Sequence, residues 1–121
     1  MQISRIIRPV NSLIFVSDSG GGQVPPWEDG KLIRSTNTCI AIGCYPEQDG
    51  PTKVTLGTAD EVDPGLRPDF TGELVIPKRL VKVWGVTHET ILEMVVIEPN
   101  MQVRIWLSHP RWPERVIIGV A

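Results

Sequence analysis

The stretch Met101-Gln102-Val103-Arg104-Ile105-Trp106-Leu107 changes character at every step, with Met101, Val103, Ile105 and Leu107 on one side and Gln102, Arg104 and Trp106 on the other. A period of two fits an extended strand with one face in a core, and it cannot lay a single apolar stripe along a 3.6-residue helix. The following segment, Glu114 to Val120, repeats the pattern with Val116, Ile118 and Val120. The two segments together predict a terminal hairpin whose core face is Val103, Ile105, Val116 and Ile118.

Towards the N-terminus, Ile91 to Ile97, Arg79 to Val86 and Phe70 to Ile76 are short apolar runs bounded by Pro77 and by Pro99-Asn100. The compact Pro99-Asn100 turn predicts that the strands around it form an antiparallel hairpin. Further upstream, Thr36 to Cys44 sets Ile40 and Ile42 against the small residues Cys39, Ala41 and Gly43, which would let another layer approach closely. Tyr45 to Pro51 reads as a turn, and Thr52 to Leu56 as the returning hairpin partner. Leu13 to Val16 is apolar on both sides and reads as a central strand. Gln2 to Arg8, with two arginines, reads as a sheet edge. Gly57 to Asp69 is polar, with room for one turn of helix.

The chain is thus expected to be all-β, a two-sheet sandwich of eight or nine mostly antiparallel strands in a single domain, residues 1–121. The eleven glycines and eleven prolines among 121 residues suit frequent turns. The 41% hydrophobic and 21% charged residues match an ordinary globular chain. No stretch reaches the roughly 18 to 20 apolar residues of a membrane span, and the N-terminus lacks the apolar core of a leader, so the expected location is cytoplasmic. Cys39 and Cys44 would sit on opposite faces of a regular strand, about 16 Å apart, and are read as free thiols of a reducing compartment.

Charge is unevenly placed. Residues 17–73 carry ten acids against four bases, while both flanking segments are net positive. An acidic surface fits a basic protein partner, and the lack of a basic stripe argues against nucleic acid.

The least ordinary stretch is the loop Ser17 to Gly30, where Gly20-Gly21-Gly22 is followed by Pro25-Pro26 and Trp27-Glu28-Asp29. Three glycines release the chain and two prolines stiffen the residues after them, so Trp27, Glu28 and Asp29 would be presented on a firm arm. Ser17-Asp18-Ser19-Gly20-Gly21 has the composition of a serine-protease nucleophile loop, yet both histidines, His88 and His109, come after it and the chain is half the needed length. A phosphate loop would continue into Gly-Lys-Ser/Thr and a helix, whereas this one runs into Pro-Pro. Single, scattered His and Cys residues do not make a zinc site, and no cofactor motif is present. The candidate binding residues are Trp27, Glu28, Asp29 and Asp18, together with Trp106 and Arg104, an aromatic and guanidinium pair of the kind enriched at protein contacts.

The order of an apolar strand at Leu13 to Val16, Asp18-Ser19, Pro25-Pro26, Trp27-Glu28-Asp29 and then successive strands to the end resembles the competence protein J family of bacterial nuclease inhibitors. The resemblance implies a small inhibitor-like protein without catalytic activity and a protein partner, and it assigns no site residue. Two other classes stay open on the residues alone. Asp18, Asp29, Asp49, Asp60 and Asp63 fall in loops, as in calcium- or membrane-associated sandwich modules. A small hydrolase is the third.

Overall fold

The computed structural model describes residues 2–121. Its strands are β1 (Gln2–Ile7), β2 (Leu13–Asp18), β3 (Ile33–Ser35), β4 (Cys39–Gly43), β5 (Thr52–Thr58), β6 (Phe70–Val75), β7 (Leu80–Gly85), β8 (Thr90–Val95), β9 (Asn100–Leu107) and β10 (Arg115–Val120), with one short helix, α1 (Ala59–Val62). They form two five-stranded sheets, β1-β5-β10-β9-β6 and β3-β4-β2-β7-β8. The inner faces of the two sheets meet in one core, to which Ile14, Val16, Ile40, Ile42, Val54, Leu56, Val81, Val83, Val103, Ile105, Val116 and Ile118 all contribute fully buried side chains. The expected sandwich is present, and so is the core face of the last hairpin, where Ile118 stands opposite Ile105.

Three expectations about the chain path are corrected. A tenth strand, β3, lies between the loop that ends at Gly30 and the strand read from Thr36, in a stretch assigned to no element, where three residues are too few to show a period. β4 and β5 are not a hairpin, because β4 pairs with β2 and β3 while β5 pairs with β1 and, in parallel, with β10. Likewise β8 and β9 do not pair across Pro99-Asn100, since β8 joins β7 in the second sheet and β9 lies between β6 and β10 in the first. Turn residues announce that the chain reverses, but the same reversal serves a strand that returns alongside and one that crosses to the opposite sheet.

The two long sides of the sandwich are closed differently. On one, the Val75 amide donates to the Asn37 carbonyl at 2.8 Å, joining β6 to the β3–β4 turn. On the other, Arg5 of β1 reaches the carbonyls of Thr90 and Ile91, each at 3.4 Å.

The outward faces are also covered differently. On the first sheet, Trp106 is only 4% exposed because the chain around α1 lies over it, and its indole N–H donates to the Leu66 carbonyl at 2.9 Å. Gly119 makes this possible, for a Cβ there would stand 2.9 Å from Ala59 Cα and 3.1 Å from both the Trp106 ring and Val62. On the second sheet, Phe15, Cys39 and Ala41 form a separate small cluster with Leu13, Trp84 and Val86 packed around it.

Candidate functional site

The outward face of the second sheet carries the site. Its cross-strand registers place Arg34 opposite Ala41, Ala41 opposite Phe15, and Phe15 opposite Trp84, so one row runs across four strands. At strand spacings of roughly 4.8 Å this row is about 14 Å long. Ala41 is the one small residue in it, set between Arg34 and Phe15. Phe15 and Trp84 are in ring contact at 4.5 Å between centroids, and the His88 imidazole stacks on Trp84 at 5.5 Å.

The segment from Ser19 to Leu32 is laid over the small residues of β4. Gly22 comes closest: a Cβ added there would lie 2.1 Å from the Thr38 carbonyl oxygen and 3.3 Å from Cys39 Cβ, so only glycine fits. Two hydroxyls then hold the chain, the Gln23 amide donating to Thr38 at 2.8 Å and Thr36 donating to the Gln23 carbonyl at 2.7 Å. The layer that the small residues of β4 were expected to admit is therefore this chain's own loop.

Beyond Gln23 the arm stiffens through Pro25 and Pro26 and meets Arg34. The Arg34 guanidinium donates to the Pro26 carbonyl at 3.0 Å and lies 4.8 Å from the centre of the Trp27 ring, a cation–π contact. Trp27 has one face on that cation and is 72% exposed. Glu28 and Asp29 are exposed beside it, and Glu28 pairs with Lys31 at 2.7 Å. An exposed pair of this kind contributes at most about 1 kcal/mol, so Glu28 can be drawn to another cation at small cost.

Arg34 is the residue that sequence reading missed. It is 8% exposed, its Nε has no hydrogen-bond partner, and among the described residues no carboxylate pairs with it. Its signal was slight, because a single arginine in a three-residue strand shows neither a period nor a motif.

The remaining candidate residues lie elsewhere. Asp18 belongs to the end of β2 rather than to a loop, and both its carboxylate oxygens are engaged, by the Gly20 amide at 2.8 Å and the Lys78 amide at 2.9 Å. It shapes the start of the loop. Trp106 and Arg104 face outward from the first sheet, on the opposite side of the sandwich from Trp27; Arg104 is half-buried between Gly119 and Thr71. The structure thus groups Trp27, Glu28 and Asp29 with Arg34 and separates them from the other pair.

Two concavities accompany these features. A groove of about 330 Å³ runs between Val24 of the arm and Trp84 and His88, with Lys82 on its wall. A larger hollow of about 530 Å³ lies at one end of the first sheet, bordered by Tyr45, His109 and the exposed Trp112. His109 Nδ1 accepts the amides of Arg111 and Trp112, at 3.0 and 3.1 Å, and its ring stacks on Trp112.

The thiols and imidazoles have distinct surroundings. Burial pushes the Cys39 thiol up to about 11 and the Cys44 thiol up to about 12, so both are held protonated. Both histidine rings stack on tryptophans. Among the described residues no group of three or more His, Cys, Asp or Glu side chains could hold a metal ion, and no helix is long and apolar enough to cross a membrane.

No protein-family model and no curated protein sequence matches the chain. Its fold is similar to the crystal structure of ComJ, inhibitor of the DNA degrading activity of NucA, from Bacillus subtilis, with a TM-score of 0.70 over 98% of this chain and 93% of that one, at 11% identity. The fold that the family resemblance implied is therefore present.

Proposed function

We propose that this chain is a protein-binding, inhibitor-like sandwich that acts in the cytoplasm without catalysis and grips a basic protein partner with the arm from Pro25 to Asp29. The exposure of Trp27 on a pre-ordered arm carries this reading. An indole that stays 72% exposed, with one face already fixed on Arg34, presents a large contact area with little flexibility left to lose on binding. Glu28 and Asp29 beside it complement lysines or arginines and would speed encounter with a basic surface. The fold neighbour's own partner is a nuclease, which makes a nuclease the first class of partner to test. Buried, protonated thiols favour neither a cysteine nucleophile nor an oxidising compartment.

The test is titration of the chain into a NucA-type nuclease, reading DNA degradation and, separately, heat of binding. The parent is expected to inhibit in stoichiometric proportion. Trp27→Ala with Glu28→Gln and Asp29→Asn is expected to weaken binding at least about tenfold, as loss of an anchor residue does, and to leave the melting temperature unchanged. A parent chain that neither binds nor inhibits removes the nuclease as partner. A triple variant that binds as well as the parent removes the arm as the surface.

A further inference from the structure

Arg34 brings a positive charge to the foot of the arm and meets no negative one there. A guanidinium keeps its charge in a protein, and a buried one is ordinarily matched by a carboxylate. Here Nη1 donates to the Pro26 carbonyl, the Trp27 ring lies against the group, and Nε is sealed from solvent without a partner. Nη2 makes no hydrogen bond among the described residues and is not sealed. A carbonyl and a ring offer partial charges only, so the site is short of one anion. Arg34 also borders an open hollow of about 360 Å³, together with Glu28, Lys31, Ser35 and Phe70. Lys31 is held there by Glu28 alone, in an exposed pair at 2.7 Å, and the Ser35 hydroxyl makes no hydrogen bond among the described residues.

We propose that this hollow is a subsite for a carboxylate side chain of the partner protein, received by Arg34 and Lys31. Resting on the reading of the arm as the binding surface, the subsite names the partner's chemistry more closely: an acidic residue standing beside the basic ones that Glu28 and Asp29 attract. The arm itself carries both signs, Lys31 and Arg34 against Glu28 and Asp29. When a lysine or arginine of the partner draws Glu28 away, Lys31 is released to join Arg34 on the incoming carboxylate, and no charge on either side is left alone. Charge-assisted hydrogen bonds of this kind are the strong ones. A phosphate is the poorer fit, because a dianion needs more donors than one open guanidinium nitrogen and one ammonium, and it would face Glu28 across the same hollow.

The probe is glutamate blocked at both its amino and carboxyl ends, titrated into the chain while the Arg34 side-chain N–H resonance is followed by NMR; identically blocked glutamine is the uncharged control. Glutamate is expected to shift the resonance saturably at millimolar concentration, and glutamine to leave it in place. Arg34→Met is expected to weaken glutamate binding, read from the neighbouring amides, at least about tenfold, as loss of a hydrogen bond to a charged group does. Lys31→Gln, at an exposed position that does not threaten folding, is expected to weaken it as well. Trp27→Ala should keep the Arg34 response, since the guanidinium remains. A chain that binds glutamate but no nuclease keeps the subsite and loses the nuclease as partner, whereas a chain whose arm binds the nuclease but which shows no glutamate response loses the subsite alone. The subsite is also overturned by equal shifts with glutamine, by binding unchanged in Arg34→Met and Lys31→Gln, by a response that disappears in Trp27→Ala, or by inorganic phosphate binding more tightly than glutamate.

Discussion

Ile105 is fully buried between the sheets and opposite Ile118, so Ile105→Ala is expected to cost roughly 2–5 kcal/mol in denaturant melts. A loss within the ~0.5 kcal/mol of ordinary surface changes would contradict its placement. This residue was legible in the sequence because burial on one face and exposure on the other write themselves as strict alternation. Arg34 was not legible, since its importance arises from Pro26 and Trp27 coming to it in space. A buried guanidinium without a carboxylate is costly, and replacing such a charge by an apolar residue of similar length is often neutral or stabilising. Arg34→Met is therefore expected to keep stability within about 1 kcal/mol of the parent or raise it, while weakening partner binding by unseating Trp27. The thiols supply a pH dependence whose sign is fixed. Their folded values lie above the ordinary 9.0, so the stability they contribute is fully present below about pH 9 and is lost as pH rises through about 11 and 12. Melting temperature measured across pH 8 to 11 should fall in the upper part of that range, and less steeply in a Cys39→Ala/Cys44→Ala variant.

Among the elements, the arm depends on the strand beneath it. Gly22→Ala would drive a methyl group into the Thr38 carbonyl, and such overpacking typically costs 1–3 kcal/mol. The loop is expected to lift, so Cys39 should react faster with a thiol reagent in this variant than in the parent. Equal rates would mean that the cover does not rest on that glycine. The sequence shows small residues at Cys39, Ala41 and Gly43 and therefore that something approaches β4, but composition cannot say whether the visitor is a partner or the chain itself. The same limit applies to Trp106. Its side of β9 followed from the alternation, whereas its cover comes from Ala59, Val62 and Leu66, residues some forty positions away in a stretch that reads as polar loop with room for one turn of helix. The two misassigned hairpins have one cause, for the composition of a turn marks that the chain reverses and not which sheet the next strand joins.

At the scale of the molecule, the aspartates read as loop residues fall on different elements, with Asp18 in β2 and Asp60 in α1. Asp18 is engaged by two amides and Asp63 accepts the Gly65 amide at 2.8 Å. Millimolar calcium is accordingly expected to leave the melting temperature unchanged, because a ligand that binds only the folded state must raise it. A rise of several degrees that a chelator reverses would restore the calcium-module reading. Class and layering were legible because nine short runs with frequent breaks leave few other architectures, whereas strand order depends on contacts between distant segments. One such contact governs how the chain can fold. β10, the last strand, lies inside the first sheet, between β5 and β9, and its parallel pairing joins Val116 to Val54 and Ile118 to Leu56. A sheet whose interior strand follows all its neighbours in the chain cannot close until that strand has emerged. β1 and β5 can meet early, but they stay separated from β6 and β9 until Val120 has emerged. Pairings of such long sequence separation are slow to form. Until β10 has been made, the inner face of the second sheet lacks its full cover, and the chain's dependence on protection from aggregation is greatest over that interval.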